Sequence, residues 1–319
     1  MNSPDKAVFT KSNLCVVGNI NRDIRVAPLA PGDYLFADGE TSASSIIETI
    51  GGGGANSACA AAALGARVAF IGKVGADALG DRLEQTLVRH GICSHLSRDP
   101  SHPTGTSINL TFENGHRHFI SSLPNNESIT LPELDLTALP SFTHLLRADI
   151  WFSKSMLFGG NEQLFRRARN SGLTVSIDLN WDPRWGVASA EEVSARKNAV
   201  RATLSHVNLV HGNIRELNEF ADSTDLETTL GCLEQWGVSA VVVHMGSHGA
   251  GYYHQGQLLV EPPAPVEQRV NTTGTGDVLS VCMMLLAHQS EVPIPQQLKL
   301  ANRIVAEFIE GKHQLIPEL

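Results

Sequence analysis

The sequence of 319 residues predicts an α/β fold in which helices wrap a mostly parallel sheet. Three observations predict it. Short β-branched runs alternate with helical stretches along most of the chain, two extended stretches interrupt that alternation, and the apolar content of 42% is ordinary for a globular protein. A chain of this length forms one large domain, or a large domain with a small appendage.

The first half of the chain opens the alternation. A buried strand ending in glycine is predicted at 14–20, and a helix of small residues at 55–65. The next strand is predicted at 67–75. A second helix is predicted at 79–91, because its apolar period ends at a glycine in the usual C-terminal cap position.

The second half repeats the pattern with strands separated by helical stretches. We predict them at DIWFS (149–153), LTVSIDLN (173–180), HVNLVHGN (206–213) and VSAVVVHMG (238–246). Ligands bind beyond the carboxyl ends of the strands in such sheets. We therefore expect the chemistry in the polar and glycine-rich loops that follow the strands.

Two extended stretches break the alternation. Residues 24–50 are rich in Pro, Gly, Ser and Thr, and residues 104–122 alternate with period two around Asn114-Gly115, a strong hairpin signal. We predict that the two stretches pair as a small accessory sheet. The α/β core then consists of residues 1–23, 51–103 and 123–319.

Charge and cysteine usage exclude several classes of protein. The net charge of -9 is not that of a nucleic-acid-binding protein. Five single cysteines without a C-x-x-C pair favour free thiols in a reducing cytoplasm. The chain shows no signal-peptide core, and its longest small apolar run is too short to cross a bilayer. We expect a soluble cytoplasmic protein without a membrane or nucleic-acid partner.

The stretch NTTGTGDVLS at 271–280 places a carboxylate where a helix begins. Gly274 and Gly276 allow the backbone amides to turn toward one point at the positive end of that helix. If a hydroxyl attacks a phosphoryl group there, the amides would hold the transferring charge and Asp277 would accept the proton. The alternative is that Asp277 is only a helix N-cap.

Other loops carry weaker signals of the same kind. Residues 51–75 begin with a second glycine-rich turn before a helix, and a tight strand–helix connection would explain that turn equally well. Asn213 and Glu216 lie three residues apart on one helix face, where they could orient a hydrated Mg²⁺. The loop HMGSHGAG at 244–251 could carry nucleotide phosphates or be a simple turn.

Together these loops resemble the PfkB, or ribokinase-like, family of carbohydrate kinases over nearly the whole chain. The first family signature begins G-G-x-G-x-N-x-A at Gly51 and is met at every fixed position through Gly75. The second, usually D-T-x-G-A-G-D, is met as N-T-T-G-T-G-D at 271–277. The N-x-x-E at 213–216 and a G-x-x-G at 246–249 fall where the family has them.

The resemblance implies a three-layer α/β/α core with a β-sheet lid, and ATP-dependent phosphorylation of a sugar hydroxyl with Mg²⁺. It implies that Asp277 is the general base, and that the anion hole is formed by Gly274, Thr275 and Gly276. Five residues match the sugar-contacting positions: Asn21, Asp23, Gly52, Gly54 and Asn56. Six match the nucleotide and magnesium positions: Asn213, Glu216, Gly246, Ser247, Gly249 and Asn302, with Glu216 reaching the metal through water. The lid sheets often pair in family dimers, so a homodimer is a hypothesis.

Several positions depart from the family pattern. Asn271 replaces an acid in a region that helps hold a monovalent cation in several members, so we do not expect dependence on such a cation. Thr275 replaces the usual alanine, and His244 replaces a frequent threonine or lysine before the nucleotide loop. Gly53 stands where ribokinase has a lysine.

Two further departures concern the substrate. Lys154 is aligned with a glutamate that follows the central strand in ribokinase, and it would either attract an acid sugar or be an exposed loop lysine. The segment DLNWDPRW resembles the D-x-N-x-R of 2-keto-3-deoxygluconate and fructose kinases, but Asp182 takes the arginine's place and Arg184 follows two residues later. The sugar is therefore left open.

Three alternative functions were weighed. A nucleoside or acid-sugar kinase of the same fold would share the signatures. A catalytically weak relative that senses a sugar or nucleotide is a second alternative, which Asn271 and His244 favour and the intact Asp277, Asn213 and Glu216 oppose. A dinucleotide-dependent dehydrogenase would need G-x-G-x-x-G after the first strand, where this chain has GNINRD.

Overall fold

The computed structural model describes residues 9–10, 12–270, 273–287 and 292–319. Asn271, on which the prediction about a monovalent cation depends, lies outside the described residues. Among the residues that are described, no helix combines the length and the apolar character needed to span a bilayer. All five cysteines lie in the described part and are free thiols, as predicted.

The first half of the chain forms three strands of the core sheet and all four strands of a second sheet. Its elements in order are β1 (Asn13–Val17), β2 (Asn21–Leu29), β3 (Ile46–Gly51), α1 (Gly53–Leu64), β4 (Arg67–Gly75), α2 (Ala78–Arg89), β5 (Cys93–Asp99), β6 (Thr106–Phe112), β7 (Arg117–Ser122) and α3 (Pro124–Glu127).

The second half completes the core. Its elements are β8 (His144–Arg147), α4 (Asn161–Asn170), β9 (Thr174–Asp178), α5 (Ala190–Arg201), β10 (Leu209–Asn213), α6 (Ile214–Ala221), α7 (Leu226–Gln235), β11 (Ala240–His244), β12 (Ala250–His254), β13 (Gln257–Glu261), α8 (Thr275–Ala287) and α9 (Ile294–Ile309).

Nine strands form the large sheet, in the order β13-β12-β11-β10-β9-β8-β1-β4-β5. The pairs from β11 to β5 are parallel, and β12 and β13 add an antiparallel edge. One apolar cluster packs α1, α2, α8 and α9 against one face, and a second packs α4 to α7 against the other. This arrangement is the three-layer α/β/α core that the sequence predicted.

The second sheet has four strands in the order β3-β2-β6-β7, and we call it the lid sheet. It confirms the prediction that the two extended stretches pair. The turn between β6 and β7 holds Asn114-Gly115, and the Phe112 amide donates to the His116 carbonyl across it. The pairing starts at Asn21, so the first lid strand follows β1 after only three residues.

One predicted strand is wrong. The strand expected at 149–153 is β8, which ends at Arg147, and residues 149–153 are a turn. The apolar run around Trp151 misled the prediction, because those side chains are buried without being part of a strand. Asp149 has a φ of 55°, which breaks an extended backbone, and the Trp151 indole donates to the Leu179 carbonyl at 2.5 Å.

Candidate active site

We use the name cleft for the region between the carboxyl end of the large sheet and the lid sheet; it begins at the loop 18–20, which joins β1 to β2. Asn126 holds this loop: its Oδ1 accepts from the Ile20 amide at 3.3 Å, and its Nδ2 donates to the Ile20 carbonyl at 3.2 Å. The Asn19 amide donates to Asp149 at 3.0 Å. The loop therefore has a fixed conformation at the carboxyl end of the parallel strands.

The Asp149 carboxylate also closes the start of α1. It accepts from the backbone amides of Gly54 at 2.8 Å and Gly53 at 3.3 Å. A Cβ on Gly54 would lie 2.6 Å from the Gly18 Cα, so only glycine allows the helix to approach the loop this closely. The predicted sugar-contacting positions Gly52 and Gly54 thus shape one rigid wall of the cleft.

Two further predicted residues, Asn21 and Asp23, begin the first lid strand on the same wall. The Asn21 Nδ2 donates to Asp23 Oδ1 at 2.7 Å, and both side chains are buried. Burial raises the pKa of Asp23 to about 6, although the Arg25 charge and the Asn21 hydrogen bond oppose the shift. The wall therefore presents an amide and a carboxyl group to the cleft.

Asp277 lies opposite this wall, in the first turn of α8. Its carboxylate accepts from the Asn56 Nδ2 at 3.3 Å, so the structure joins two predicted site residues that are 221 positions apart. Burial raises the pKa of Asp277 well above its usual value, and the charges of Asp149 and Glu216 raise it further. A carboxylate with a raised pKa is a stronger proton acceptor once it is ionised.

Several buried polar atoms of the loop 18–20, of α1 and of the lid sheet lack a hydrogen-bond partner among the described residues. They are Asn19 Oδ1, Thr49 Oγ1, Asn56 Oδ1, Asn109 Oδ1, and the Nε and Nη2 atoms of Arg25. Asn109 lies on the lid and donates its Nδ2 to the Thr273 Oγ1 beside the glycine loop at 3.2 Å. Buried polar groups are normally paired, so these atoms indicate a place for a polar ligand.

The predicted pair Asn213 and Glu216 has a local structural role. The Asn213 Oδ1 accepts from the Glu216 amide, and the Glu216 Oε2 accepts from the Asn213 amide, both at 2.9 Å. This capping box stabilises the start of α6. The Glu216 charge nevertheless reaches the cleft, because it raises the pKa values of Asp178 and Asp277.

The acidic groups at this end of the sheet suit a divalent cation. Burial raises the pKa values of Asp178, Glu216 and Asp277, and the Glu216 charge raises those of Asp178 and Asp277 further. No group of three metal-binding side chains converges within the described ranges. Mg²⁺ in nucleotide sites uses one or two carboxylates, waters and substrate phosphates, and the residues present fit that pattern.

The residues predicted to contact the nucleotide phosphates follow β11. Gly246 and Ser247 lie in an exposed single turn of 3-10 helix, and a Cβ on Gly249 would lie 2.1 Å from the Glu261 carbonyl oxygen. Asn302 on α9 donates its Nδ2 to the carbonyls of Glu261 and Pro262, at 3.1 and 2.9 Å. A surface groove separates residues 261–265 from α9, and Asn302 lines it.

Lys154 differs from the other predicted residues. The central strand ends at Arg147, so the acid that follows it is Asp149, and Lys154 lies beyond the position from which it was aligned. Lys154 is exposed, and its charge contributes to lowering the pKa of Glu192, after the larger effect of Arg184. No contact of Lys154 with the residues around Asp277 is found in the described part of the chain.

The departures in DLNWDPRW have a structural explanation. Asp182 is fully buried and forms a two-point ion pair with Arg196, at 2.6 and 2.9 Å. Arg184 points to solvent and pairs with Glu192. The position at which the related kinases have an arginine therefore holds the buried Asp182, and its ion pair with Arg196 joins the loop to α5.

Sequence reasoning missed four residues of the site: Arg25, Asn126, Asp149 and Asp178. Asp178 is buried at the last position of β9, beside the cleft. A polar residue that ends an apolar strand was the available signal for Asp178. The other three are isolated in sequence, and only the fold brings them to the cleft.

Comparison with known proteins gives a consistent result. Residues 11–307 match the model of the pfkB family carbohydrate kinase. A fructokinase of Vibrio alginolyticus is 25% identical over 247 residues, which are 76% of this chain and 77% of the fructokinase. The bifunctional protein HldE of Coxiella burnetii is 25% identical over 327 residues, which cover 99% of this chain and 64% of HldE. This chain thus spans less than two thirds of that relative.

A solved structure shares the fold. An Escherichia coli protein assigned as ribokinase II, in complex with ATP and Mg²⁺, superposes with a TM-score of 0.78 at 20% identity. The match covers 94% of this chain and 93% of that one. The architecture is therefore ribokinase-like.

Proposed function

The chain belongs to the PfkB family of carbohydrate kinases, and we propose that it transfers the γ-phosphoryl group of ATP to a sugar hydroxyl. The observation that carries the proposal is the Asp277 carboxylate, which lies in the first turn of α8 and faces unpartnered polar atoms of the opposite wall. A base beside a helix N-terminus is the arrangement that this reaction needs.

The proposed reaction is a direct displacement. The sugar oxygen attacks the γ-phosphorus, the bond from that phosphorus to the β–γ bridging oxygen breaks, and ADP leaves. Asp277 takes the hydroxyl proton, and the amides of Gly274, Thr275 and Gly276 stabilise the charge on the transferring group. Asn56 positions the Asp277 carboxylate through its 3.3 Å hydrogen bond.

ATP and Mg²⁺ are the proposed cofactors. Mg²⁺ bound with the nucleotide would neutralise charge on the β and γ phosphates. Glu216 would reach it through water, because one of its carboxylate oxygens is used by the capping box. Gly246, Ser247 and Gly249 would contact the nucleotide phosphates, and Asn302 would border the base in the groove beside residues 261–265.

The sugar side of the proposal uses the wall built on the loop 18–20. Asn21, Asp23 and Asn56 would bind sugar hydroxyls, and Gly52 and Gly54 would let the sugar approach the backbone. The unpartnered acceptors of Asn19 and Asn56 support this role, because a polyol brings the O–H donors that they lack.

The test is Asp277→Asn, assayed by ADP release over pentoses, ketohexoses, 2-keto-3-deoxy acids and nucleosides. We expect kcat to fall by about 10²- to 10⁴-fold, with little change in thermal stability or ATP binding. Asp225→Asn is the matched control, because Asp225 is an exposed N-cap of α7 whose carboxylate accepts from the Thr228 amide, and it has no part in the proposed reaction. Near-normal turnover in Asp277→Asn would refute the assignment, and no turnover of the unmodified protein with any substrate would favour a sensor.

An acid-sugar kinase is the second candidate, and the observation that favours it is Arg25. Two of its guanidinium nitrogens are buried without a partner among the described residues. Burial lowers the pKa of Arg25, and the charges of Asp23 and Asp277 oppose that shift. We expect Arg25→Gln to reduce turnover of a 2-keto-3-deoxy acid more than that of a neutral ketohexose. Equal losses of turnover with the two substrates would contradict this role and would indicate that Arg25 only neutralises Asp23.

A homodimer through the lid sheet is also proposed. Ile46 and Ile120 are 64% and 54% exposed, and the strand register places them on one face together with Ile24 and Ile108. A monomeric mass at micromolar concentration would contradict it.

A further inference from the structure

A cysteine, a histidine and an aspartate meet at the edge of the large sheet. Cys93 and His95 lie two residues apart on the edge strand β5, so their side chains are on the same face. Cys93 Sγ lies 3.3 Å from His95 Nε2, and His95 Nδ1 lies 2.8 Å from Asp135 Oδ2. Cys93 begins β5, which is parallel to β4, whereas the cleft lies at the carboxyl ends of the strands. The proposed phosphoryl transfer therefore does not use this cluster.

The Asp135 carboxylate determines which nitrogen of His95 carries the proton. Its Oδ1 accepts from the Thr137 amide at 3.1 Å and from the Thr137 hydroxyl, which leaves Oδ2 for the imidazole. The Asp135 side chain is 50% exposed, and the hydrogen bonds from Thr137 and His95 lower its pKa to about 2. An ionised carboxylate only accepts hydrogen bonds. His95 therefore carries a proton on Nδ1, and the lone pair of Nε2 faces the Cys93 thiol.

This arrangement is that of an activated thiol. The thiolate, not the thiol, is the nucleophile, and the Nε2 lone pair of His95 can accept the Cys93 proton. Asp135 then stabilises the imidazolium that forms. A nucleophile within hydrogen-bond reach of a base, with a third group that orients the base, is the recurring arrangement of nucleophilic sites. Cys93 is exposed, so a small molecule in solution can reach its sulfur.

The other four thiols are different. Cys15, Cys59 and Cys282 are buried, and burial raises the pKa of each thiol, to about 12 in the first two. Cys232 on α7 is partly exposed, but in the described part of the chain no histidine forms a hydrogen bond with its thiol. Cys93 thus differs from Cys232 by having a base beside it, and Cys232 can serve as an internal reference.

The other charged groups on this face of β4 are already engaged. Lys73 forms ion pairs with Asp99 at 2.9 Å and with Glu133 at 3.2 Å. Arg67 lies over the Phe142 ring, 4.8 Å from its centroid. Of the charged groups on β4 and on the segment 131–139, the one that is bonded to the imidazole is therefore the aspartate that fixes its proton.

We propose that Cys93 is a redox-modification site, whose thiol is activated by His95, is positioned through Asp135, and exchanges with a small disulfide of the glutathione type. The Cys93 sulfur gives its proton to His95 Nε2 and attacks one sulfur of the disulfide. The S–S bond of the small molecule breaks, a mixed disulfide with Cys93 forms, and the second sulfur leaves as a thiolate that takes the proton from His95. The Cys93 sulfur is oxidised and the leaving sulfur is reduced, so no other co-reactant is needed.

The first test measures the rate at which the folded protein reacts with dithiodipyridine, a disulfide whose leaving thiol is detected by its absorbance. At pH 6 we expect one thiol per chain to react about tenfold faster than Cys232, because an ordinary thiol is almost wholly protonated there. The fast phase should be absent in Cys93→Ser and unchanged in Cys232→Ser. A fast phase that survives Cys93→Ser, or equal rates for the two thiols, would overturn the proposal.

The second test examines the base and its positioning acid through the pH profile of the same rate. We expect an inflection below the ordinary thiol pKa of about 8.5. In His95→Asn the profile should become that of an ordinary thiol. In Asp135→Asn it should move to higher pH, because the imidazolium loses its partner.

His254→Asn is the matched control for the base, because His254 is an exposed histidine whose Nδ1 lies 2.8 Å from the Ser239 carbonyl oxygen. Its profile should equal that of the unmodified protein. An unmoved profile in His95→Asn would contradict the role of the base, and an unmoved profile in Asp135→Asn would contradict the positioning role.

The third test uses oxidised glutathione and mass spectrometry. We expect one glutathione per chain on the peptide that contains Cys93, removed by a reductant and absent in Cys93→Ser. The absence of an adduct under conditions in which dithiodipyridine reacts would overturn the assignment to disulfides of the glutathione type. ADP release by Cys93→Ser should be unchanged, because the thiol lies at the amino end of β5. None of the thiol measurements depends on the proposed function, so its failure would leave them unaffected.

Discussion

Two helices of this protein begin after a glycine-rich turn, and they use their N-terminal ends differently. At α1, the amides of Gly53 and Gly54 donate to the protein's own Asp149. At α8, the nearby carboxylate is Asp277, and it is bonded to Asn56 and not to the loop behind it. The amides at the start of α1 are already paired with a carboxylate of the protein, so this helix end forms part of a wall. The amides at the start of α8 are not paired with Asp277, so this helix end can bind an external anion. Similar local sequences therefore have opposite roles.

The largest difference between the two turns should appear on adding one methyl group. In Gly54→Ala the new Cβ would meet the Gly18 backbone at 2.6 Å, and we expect the free energy of unfolding to fall by roughly 3 kcal/mol. In Gly276→Ala the Cβ would meet the His244 ring at 3.3 Å, which a small ring movement relieves, so stability should change by less than about 1 kcal/mol.

The measurements for this pair are urea unfolding and ADP release. Gly276→Ala should lose turnover while it stays folded, and Gly54→Ala should lose both together. If Gly54→Ala unfolds at the same urea concentration as the unmodified protein, α1 is not the rigid wall described above.

The next largest effect is expected in the pH dependence of folding stability, at Asp23 in the wall. The pKa of Asp23 is raised from 3.8 to about 6, so its ionised form is disfavoured in the folded state. The stability it contributes is present below pH 4 and is lost as the pH rises through about 6, on the order of 1–3 kcal/mol. Asp23→Asn should remove this part of the pH dependence, which unfolding free energies at pH 4 and 7 would measure. An unchanged difference between the two pH values would mean that Asp23 ionises as freely as in water.

Asp149 connects the two helix starts, because it caps α1 and its charge raises the pKa of Asp277. Asp149→Asn should lower the free energy of unfolding by about 2 kcal/mol, since a hydrogen bond to a charged group is lost. It should also lower the pKa of Asp277, and so move the acidic limb of the kcat profile to lower pH. The profile of Asp225→Asn should stay in place, and an unmoved limb in Asp149→Asn would contradict the coupling.

The smallest effect is expected at Asn302, beside the groove that is proposed to border the base of the nucleotide. Asn302→Ala releases the carbonyls of Glu261 and Pro262 and loosens the border of the groove. We expect KM for ATP to rise about fivefold with kcat unchanged, corresponding to about 1 kcal/mol. Steady-state kinetics at varied ATP would measure it, and a fall in kcat would show that the segment reaches the transfer site.

The sequence predicted the fold class and the accessory sheet, because these depend on periodicity and on motifs that are contiguous in the chain. The sequence-based prediction failed at Asp149. The apolar residues Ile150 and Trp151 are buried and so resemble a strand in sequence, but the φ of 55° at Asp149 is incompatible with one. It also assigned Lys154 to the pocket by counting from that misplaced strand.

The remaining errors and omissions come from pairing across the fold. Asp182 could not be distinguished from a substrate contact until its partner Arg196 was known. Ser280 on α8 forms hydrogen bonds with Asp178 on β9 and His244 on β11, which are distant from it in sequence, and no local pattern reports such contacts. The roles of the individual site residues stay predictions until they are tested.

The short passage from β1 to β2 has a mechanical consequence. Three residues join the core strand to the lid strand, and Asn126 and Asp149 fix them. The lid sheet thus has no slack at this corner, and we expect any displacement of it to be a tilt about a pivot at Asn19 and Ile20. Asn21 and Asp23, which are nearest the pivot, would then move least, and Phe119 on the far strand would move further. The grip on one end of a ligand can stay constant while the other end of the cleft opens.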